Sequence, residues 1–591
     1  MFAPGAAAIL VAVNRILPIA LILAFVVLAV LSQERESVTV DEYAHLPAAC
    51  AVLRHGTTDL YGKNPPLVRY LLGVPALLAG AVVPEPALST LGAGWDPWTY
   101  GDRFVAANAG PVGLGRYPAI LRAARLAGVG LGVTLLVLLY LWARSLHGAA
   151  AASITLTLAA FCPTLLAHAP LVTVDAGGAL FLLGAACACW HALRAPSPGR
   201  AALAGAAVGL AVVAKFTALV LLPLLPLWWF LARRARLGRA PRPLRAAAAG
   251  VAAFLLVVHA AYQFRAPLSP LGSFRLHSGL AGAVARVLPA ATPVPLPASF
   301  VRGLDGQMLD LEQAEMPNYL NGSWSRQGWW YYYPQALLQK TPLALWGLAA
   351  AAIGFALVRW RRGEGAAASG PPPGGGADAP ARGLAGWMIS TLAVTLLAGA
   401  LGARLDIGIR YLLPLLPLLY LLLGGALAPA VRGRQGRVVV LLLLAAYAGV
   451  VVAAFPGYLP FFNSLAGGTQ GGWRYLANSN LDWGQDLAGL ARYLDERRSH
   501  APVYLAYFGH LDPARYGIDY RLPPDHPVAG LYAVSVNLLL GMPYVVVDQG
   551  RWALFGDDLT RPQNRLAWLR AREPLARIGG SIWIYEVPNP P

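Results

Sequence analysis

Residues that could carry out chemistry follow directly after the first long apolar run of the chain. The stretch "TVDEYAH" holds the adjacent carboxylates Asp41 and Glu42 and then His45, and "YGKNPPL" adds Lys63 and Asn64. A carboxylate can take a proton from an attacking hydroxyl, and a lysine can hold a phosphate as a compact point charge. These residue types predict a group-transfer site beside the first apolar run.

Structural and metal-binding alternatives stay open for the same residues. Asp41 could cap a helix that begins at Glu42, where a carboxylate in the first turn is favourable. His45 lies four residues after Asp41 on the same helical face, so the two could share a divalent metal ion or simply form a hydrogen bond. The chain has no HExxH spacing, which argues against a metal-dependent hydrolase.

Further ionisable residues stand at the ends of later apolar runs: Asp175 in "VTVDAGG", Lys215 in "VVAKFTA", Lys340 in "LLQKTPL" and the pair Arg410-Tyr411 in "GIRYLLP". Ionisable groups at membrane depth are costly and usually functional. Each also has a structural alternative, such as an ion pair, a snorkelling lysine or an interfacial anchor. Because topology places them on one side of the membrane, we expect a single pocket.

The composition is that of a polytopic membrane protein. Of 591 residues, 57% are hydrophobic and 13% charged, which is far from a soluble composition. The net charge of +18 comes from arginines in short loops, where cytoplasmic topology signals lie, so we exclude nucleic acid as a partner. About eleven spans are predicted by length: 16–32, 122–143, 150–166, 170–192, 201–214, 217–232, 246–264, 335–358, 384–403, 411–430 and 437–455.

The apolar segment 65–84 decides the topology. Its four prolines and Arg69 predict a broken helix on the membrane surface, and the arginine-rich short loops then fall on one side. This predicts an uncleaved first span, an inner N-terminus and an outer C-terminus. The predicted domains are a transmembrane domain (1–455), with outer loops 33–121 and 265–334 and a flexible inner linker 359–383, and an extracytoplasmic α/β domain (456–591).

The secondary structure expected in that last domain is one amphipathic helix and several strands. "SNLDWGQDLAGLARYLDERR" has helical periodicity, and "PVYLAYF", "PYVVVDQG" and "SIWIYEV" read as strands. In the first of these stretches Asp482 and Trp483 could bind a sugar, or Trp483 could pack against the transmembrane domain. Packing is the preferred interpretation.

Taken in order, "TVDEYAH", "KNPPL", "APLVTVDAGGALF", "GLAVVAKFTALVLLP", "GWWYYYPQALLQKTPL" and "IGIRYLLPLLPLLY" resemble the membrane glycosyltransferases of the C superfamily. The similarity is to the protein O-mannosyltransferase and lipid A aminoarabinose transferase group. "NSNLDWGQDLAGLARYL" resembles the tail of bacterial phospholipid-carrier-dependent glycosyltransferases. The resemblance covers most of residues 16–500 and implies surface-lying helices in the first outer loop.

The resemblance implies transfer of a sugar, usually with inversion, from a polyprenyl-phosphate donor at the outer face of a bacterial cytoplasmic membrane. The acceptor would be a lipid, glycan or protein, and a missing luminal insert argues against protein. Asp41 would be the base or orient the acceptor, with Glu42 in support and Asp175 near the acceptor or a metal. Lys63, with Asn64 beside it, would lie near the donor phosphate. Substrate binding is expected to fall to the remaining residues: His45, Lys215, Lys340, Arg410, Tyr411, Asp482 and Trp483.

The main alternative function is transport of lipid-linked sugars across the membrane. Transporters usually show paired inverted repeats and polar residues at the membrane midplane. This sequence has no evident internal repeat, and its charged residues lie at the predicted outer edge instead. Sugar transfer is therefore the favoured hypothesis.

Overall fold

The structure is a computed structural model that describes residues 4–86, 96–110, 113–238, 242–313, 316–362, 379–497 and 503–588, with side chains in the first helix from Arg15 onward. Within these residues the α-helices are α1 Pro4–Gln33, α2 Val40–His55, α3 Leu67–Leu78, α4 Pro97–Ala109, α5 Tyr117–His147, α6 Ala149–Ala160, α7 Pro163–His168, α8 Asp175–Arg194, α9 Pro198–Ala214, α10 Leu221–Arg234, α11 Pro243–Ala261, α12 Gly279–Val287, α13 Ala298–Glu312, α14 Tyr332–Lys340, α15 Leu343–Arg361, α16 Ala379–Leu401, α17 Leu416–Leu427, α18 Arg434–Ala453, α19 Gly468–Gly471, α20 Leu487–Arg497, α21 Val536–Leu539 and α22 Ala567–Arg570. The strands are β1 Asn318–Leu320, β2 Ser323–Ser325, β3 Val503–Ala506, β4 Gly530–Ser535, β5 Tyr544–Asp548, β6 Arg551–Phe555, β7 Ala576–Ile578 and β8 Ile582–Val587.

The prediction of a polytopic α-helical membrane protein is confirmed. Among the described residues, eight helical segments are long and apolar enough to cross a membrane, and four shorter apolar helices accompany them. Three of the shorter ones, α6, α9 and α17, coincide with predicted spans. The fourth is α3, which was predicted to lie on the membrane surface. The exact number of spans stays a prediction.

Prolines break several of the predicted spans. The predicted span 335–358 is two helices, because Pro342 separates α14 from α15 and cannot donate the backbone hydrogen bond of a continuous helix. Pro163 likewise starts α7 after α6 has ended. Segment 170–174 is not helical, so α8 begins only at Asp175. Each break places polar residues at a helix end.

The outer-loop prediction 33–121 contains three helices, α2, α3 and α4. They pack on one another and on α5, around a cluster of buried side chains that includes Leu46, Leu72, Phe104 and Ile120. Of the predicted linker 359–383, residues 363–378 lie outside the described part of the chain. Its two ends belong to α15 and α16.

Residues after 456 form a small mixed sheet of order β3-β4-β8-β7, in which β3 and β4 are parallel and the other pairs antiparallel. Alternating residues of β4 face two different environments. Leu531 and Ala533 pack with α20, whereas Tyr532 and Val534 join the same core cluster as the apolar helices. The hydrophobic core therefore continues across residue 456.

The amphipathic helix expected over 479–498 begins later than predicted. Residues Asn478–Asn480 form one 3₁₀ turn, and Gly484 has φ +84°, a conformation that favours glycine. A Cβ at Gly484 would lie 2.7 Å from the Phe508 carbonyl oxygen. The chain is thereby turned so that residues 481–486 lie against the start of α2, and α20 starts at Leu487.

Candidate active site

Four charged side chains from four separate segments form one connected network. Asp41 Oδ2 accepts a hydrogen bond of 2.6 Å from Arg410 Nη1, which lies 3.7 Å from Asp175 Oδ2. Asp175 Oδ1 in turn accepts one of 2.5 Å from Lys215 Nζ. The four side chains are between 5% and 16% exposed. Two anions and two cations thus alternate in a nearly buried pocket, and their formal charges cancel.

Each member of this network stands at the end of a helix. Asp41 is in the first turn of α2, and Asp175 is the first residue of α8. Lys215 has extended backbone angles after the end of α9. Arg410 lies in the 3₁₀ helix Ile409–Leu412. Carboxylates in the first turn of a helix are favoured by the helix dipole, and the ends of apolar helices are where charged residues can lie near the membrane interface.

Backbone hydrogen bonds from the turn after 478 fix two of these helix ends. Val40 N donates to the Trp483 carbonyl oxygen at 2.9 Å, which holds the start of α2. Ile409 N donates to Asn480 Oδ1, also at 2.9 Å, which holds the segment that carries Arg410. Residues 480–483 therefore set the position of Asp41 relative to Arg410.

Trp483 packs its ring against the Arg410 guanidinium, with 4.3 Å between the guanidinium carbon and the ring centroid. The centroid of the Trp483 ring also lies 5.7 Å from the centroid of the His168 ring, and Trp483 is 2% exposed. The Tyr411 ring lies 5.4 Å from Lys215 Nζ. Cation–π contacts of this kind contribute about 0.5–2 kcal/mol. Trp483 orients Arg410, which agrees with the packing interpretation.

Asp482 is completely buried and accepts hydrogen bonds from the backbone of Gly484 and Asn537. Burial raises the pKa of this carboxyl group to about 8. The structure therefore gives Asp482 no exposed face on which a sugar could pack, and its contacts are those of a residue that shapes the turn before α20.

Glu42 has a different environment from Asp41. It is 0% exposed and forms a two-pronged ion pair with Arg125, with distances of 2.8 Å and 2.6 Å. It also accepts hydrogen bonds from the backbone of Val172 and Thr39. Burial raises the pKa of Glu42, but the Arg125 charge and these hydrogen bonds outweigh burial and lower it overall. Glu42 ties α2 to α5 and to the start of α8.

His45 lies near enough to the network for the Asp41 charge to act on it. Its ring is buried and lies 4.5 Å from the Tyr61 ring, and its Nδ1 atom has no hydrogen-bond partner within the described residues. Burial lowers the pKa of His45 to about 4, although the nearby Asp41 charge acts in the opposite direction. The imidazole is therefore neutral at physiological pH.

The structure places Lys63 and Asn64, which were predicted near the donor phosphate, in the loop before α3. Lys63 Nζ donates to Asp310 Oδ1 at 2.7 Å, and the charge of Asp310 acts on Tyr411. The Lys63 side chain is 44% exposed. The Asn64 carbonyl oxygen accepts a 2.7 Å hydrogen bond from Arg69, which fixes this loop. Lys63 is therefore a partly exposed cation that is paired with Asp310.

Lys340 is not part of the four-residue network. It is 2% exposed and donates to the carbonyl oxygens of Leu459 and Asn480 at 2.8 and 2.6 Å. No carboxylate pairs with it in the described part of the chain. Burial lowers the pKa of Lys340 well below its usual range. Its hydrogen bonds join the end of α14 to the turn that positions Arg410.

Sequence reasoning missed Arg125, His168 and Tyr61. Arg125 stands inside an apolar run, which is the signal that could have identified it. His168 precedes Asp175 by seven residues in an apolar stretch, and its pKa is lowered to about 3 by burial. Tyr61 precedes the Lys63 motif directly. Arg125 pairs with Glu42, His168 packs against Trp483, and Tyr61 packs against His45. These contacts follow only from the three-dimensional structure.

The binding of a divalent metal ion stays a prediction. No three His, Cys, Asp or Glu side chains of the described residues are grouped so that they could hold a metal ion. Asp41 and Asp175 are bound to Arg410 and Lys215 instead.

A sequence model of the family described as dolichyl-phosphate-mannose-protein mannosyltransferase matches residues 120–262. The resemblance to the protein mannosyltransferase group is confirmed. The matched segment contains Arg125, His168, Asp175 and Lys215, whereas Asp41 and Arg410 lie outside it. Comparison with curated proteins gives no match.

Two solved structures are similar to this chain. ArnT from Cupriavidus metallidurans bound to undecaprenyl phosphate has 15% identity and a TM-score of 0.45, covering 95% of this chain and 100% of that one. The archaeal oligosaccharyltransferase AglB from Archaeoglobus fulgidus, in complex with an inhibitory peptide and a dolichol-phosphate, has 12% identity and a TM-score of 0.47. In that case 93% of this chain and 75% of the other are covered.

Proposed function

We propose that this protein transfers a sugar from a polyprenyl-phosphate donor to an acceptor hydroxyl, with Asp41 as the general base. The observation that carries the proposal is the network of Asp41, Arg410, Asp175 and Lys215, which gathers a candidate base and two cations that could bind a phosphate in one nearly buried pocket. The confirmed family resemblance supports a lipid-phosphate sugar as donor.

In the proposed reaction the acceptor oxygen attacks the anomeric carbon of the sugar while Asp41 takes the proton of the attacking hydroxyl. The bond between the anomeric carbon and the phosphate oxygen breaks, and its electron pair remains on the polyprenyl phosphate. A direct displacement of this kind inverts the anomeric centre. The phosphate is already acidic, so it leaves without a general acid, and cations stabilise its charge.

The cations are neutralised by carboxylates before the donor binds. Arg410 is paired with Asp41 and Lys215 with Asp175. A donor phosphate that binds to Arg410 would compete with Asp41 for the guanidinium. We propose that this exchange releases Asp41 to act as the base, so that the base becomes available only when the donor is bound.

An apolar groove with a volume of about 700 Å³ is suited to the polyprenyl chain. It is lined by α9, α10 and α11, with Val208, Leu225 and Phe254 among the lining residues. Lys215 connects α9 to the segment that leads into α10. A donor whose phosphate lies at Lys215 can therefore extend its apolar chain along the same helices.

We also propose that this pocket and residues 456–591 lie on the extracytoplasmic side of a bacterial cytoplasmic membrane. The support is the clustering of arginine in the short loops at the opposite ends of the spans. Reporter fusions in the segment between α3 and α5 test this assignment. A cytoplasmic signal from them would overturn it.

The reaction is tested with purified protein and a lipid-phosphate sugar that carries a labelled sugar. We expect release of free polyprenyl phosphate that depends on an added acceptor, and its loss in Asp41→Asn. Equal turnover in wild type and variant would remove Asp41 from the mechanism. Movement of intact donor to the opposite leaflet, with no carrier released, would instead establish a transporter. Turnover that ceases when divalent ions are chelated and returns on their addition would establish a metal requirement.

A further inference from the structure

A second cavity, with a volume of about 430 Å³, lies between the end of α1, the start of α5 and residues from the C-terminal part of the chain. Ser37 and Val38 line it, and the same segment reaches Asp41 three residues later. The Arg125 side chain also lines it. The cavity therefore borders the segment that leads into α2, and none of the four networked residues lines it.

Two buried polar side chains that line this cavity have no hydrogen-bond partner among the described residues. Both atoms of the Gln33 side-chain amide and the Tyr117 hydroxyl are without a hydrogen bond within the described residues. Gln33 is 3% and Tyr117 2% exposed. A buried polar group left unsatisfied costs about 1–3 kcal/mol, so a molecule that bonds to these groups would be stabilised here.

Glu36 adds a third polar group to the cavity wall. The two nearby arginines are already engaged, Arg125 with Glu42 and Arg122 with Glu34. The Glu36 side chain has no hydrogen bond to any described residue. Burial, opposed by the Arg125 charge, raises the pKa of Glu36 to about 8. The neutral carboxylic acid therefore predominates at pH 7.

From these three groups we infer that the cavity binds a neutral, hydroxyl-rich ligand, most simply one sugar unit. An amide, a phenol and a neutral carboxylic acid each donate and accept hydrogen bonds, as do adjacent sugar hydroxyls. The apolar side chains of Pro118, Leu121 and Leu511 can pack against the C–H faces of a sugar ring. The volume is within the range of small-molecule sites. The inference does not depend on the proposed transfer reaction.

The test uses full-length protein in lipid nanodiscs, because alkyl-glycoside detergents carry sugar headgroups that would compete. Glucose, mannose, galactose and N-acetylglucosamine are titrated and followed by saturation-transfer NMR. We expect saturable binding of at least one sugar. Gln33→Leu and Tyr117→Phe should each weaken it about 2–10-fold, the range given by one neutral hydrogen bond. The control is Tyr331→Phe, an exposed tyrosine.

Glu36→Gln tests whether the neutral form of the Glu36 side chain is the form that binds the sugar. Glutamine also donates and accepts, so sugar binding should be retained within about twofold. Loss of sugar binding in Glu36→Gln would mean that an ionised carboxylate, and not the neutral acid, holds the sugar, and it would overturn the inference. So would the absence of saturable binding to all four sugars, equal affinity in wild type and both cavity variants, or an experimental structure with sugar present that shows only ordered water in the cavity.

Discussion

Asp41 and Glu42 are adjacent in the sequence, but we predict that removal of the Asp41 charge lowers activity whereas removal of the Glu42 charge lowers stability. Asp41→Asn preserves the size of the side chain and one oxygen that can still accept from Arg410. Arg410 also keeps Asp175 at 3.7 Å and its contact with Trp483. The fold should therefore tolerate this change. Loss of the general base should lower kcat about 10²–10⁴-fold, which corresponds to about 3–5 kcal/mol of activation free energy.

Glu42→Gln removes a charge that is fully buried between two Arg125 nitrogens and two backbone donors. Breaking a buried ion pair by changing one partner costs about 3–5 kcal/mol, because the other charge is left uncompensated. Glu42→Gln should therefore lower the stability of the folded state by about as much free energy as Asp41→Asn adds to the activation barrier of sugar transfer. We expect the midpoint of thermal unfolding to fall by several degrees.

The assay pairs carrier release with thermal unfolding for both variants. Glu586→Gln is the control, because Glu586 forms an exposed ion pair with Arg497 at 3.2 Å that should contribute about 0–1 kcal/mol. Normal turnover in Asp41→Asn, or an unchanged unfolding midpoint in Glu42→Gln, would refute the division of roles argued from these contacts.

Three further predictions follow from single contacts. Gly178→Ala should reduce donor turnover, because the added Cβ would lie 3.0 Å from the Lys215 side chain. Gly184→Ala on the same helix is the control and should be neutral, because its Cβ would meet nothing closer than 3.8 Å. Equal activities of the two variants would contradict this prediction. Trp483→Leu should raise KM for the donor by loosening Arg410, and an unchanged KM would count against that role. The pKa of Asp482 is raised by burial in the folded state to about 8, so the buried carboxyl group carries no ionisation penalty below about pH 4 and costs stability increasingly as the pH rises to about 8. Between pH 5 and pH 8.5, the midpoint of thermal unfolding should fall less in Asp482→Asn than in wild type. Equal falls in the two proteins would contradict the assignment.

Much of the helical architecture could be predicted because apolar run length is a local property. Every predicted span overlaps a helix, and α3 was expected as a separate surface helix from its prolines and Arg69. The errors lie at helix ends, as at Pro163 and Pro342, where a proline inside an apolar run divides one predicted span into two helices. The hydropathy of the run does not register the missing backbone hydrogen bond.

The sequence by itself determined which residues could do chemistry here: carboxylates and cations are costly at membrane depth, so Asp41, Asp175, Lys215 and Arg410 stand out wherever they occur. Only the tertiary structure decided their partners. It paired Glu42 with Arg125 and Asp41 with Arg410, held Lys340 on backbone carbonyls, and placed Trp483 over Arg410. The physical reason is that electrostatic interaction depends on the distance between charges and on their burial. Charged residues up to 369 positions apart along the chain come close to one another and become buried only when the helices pack.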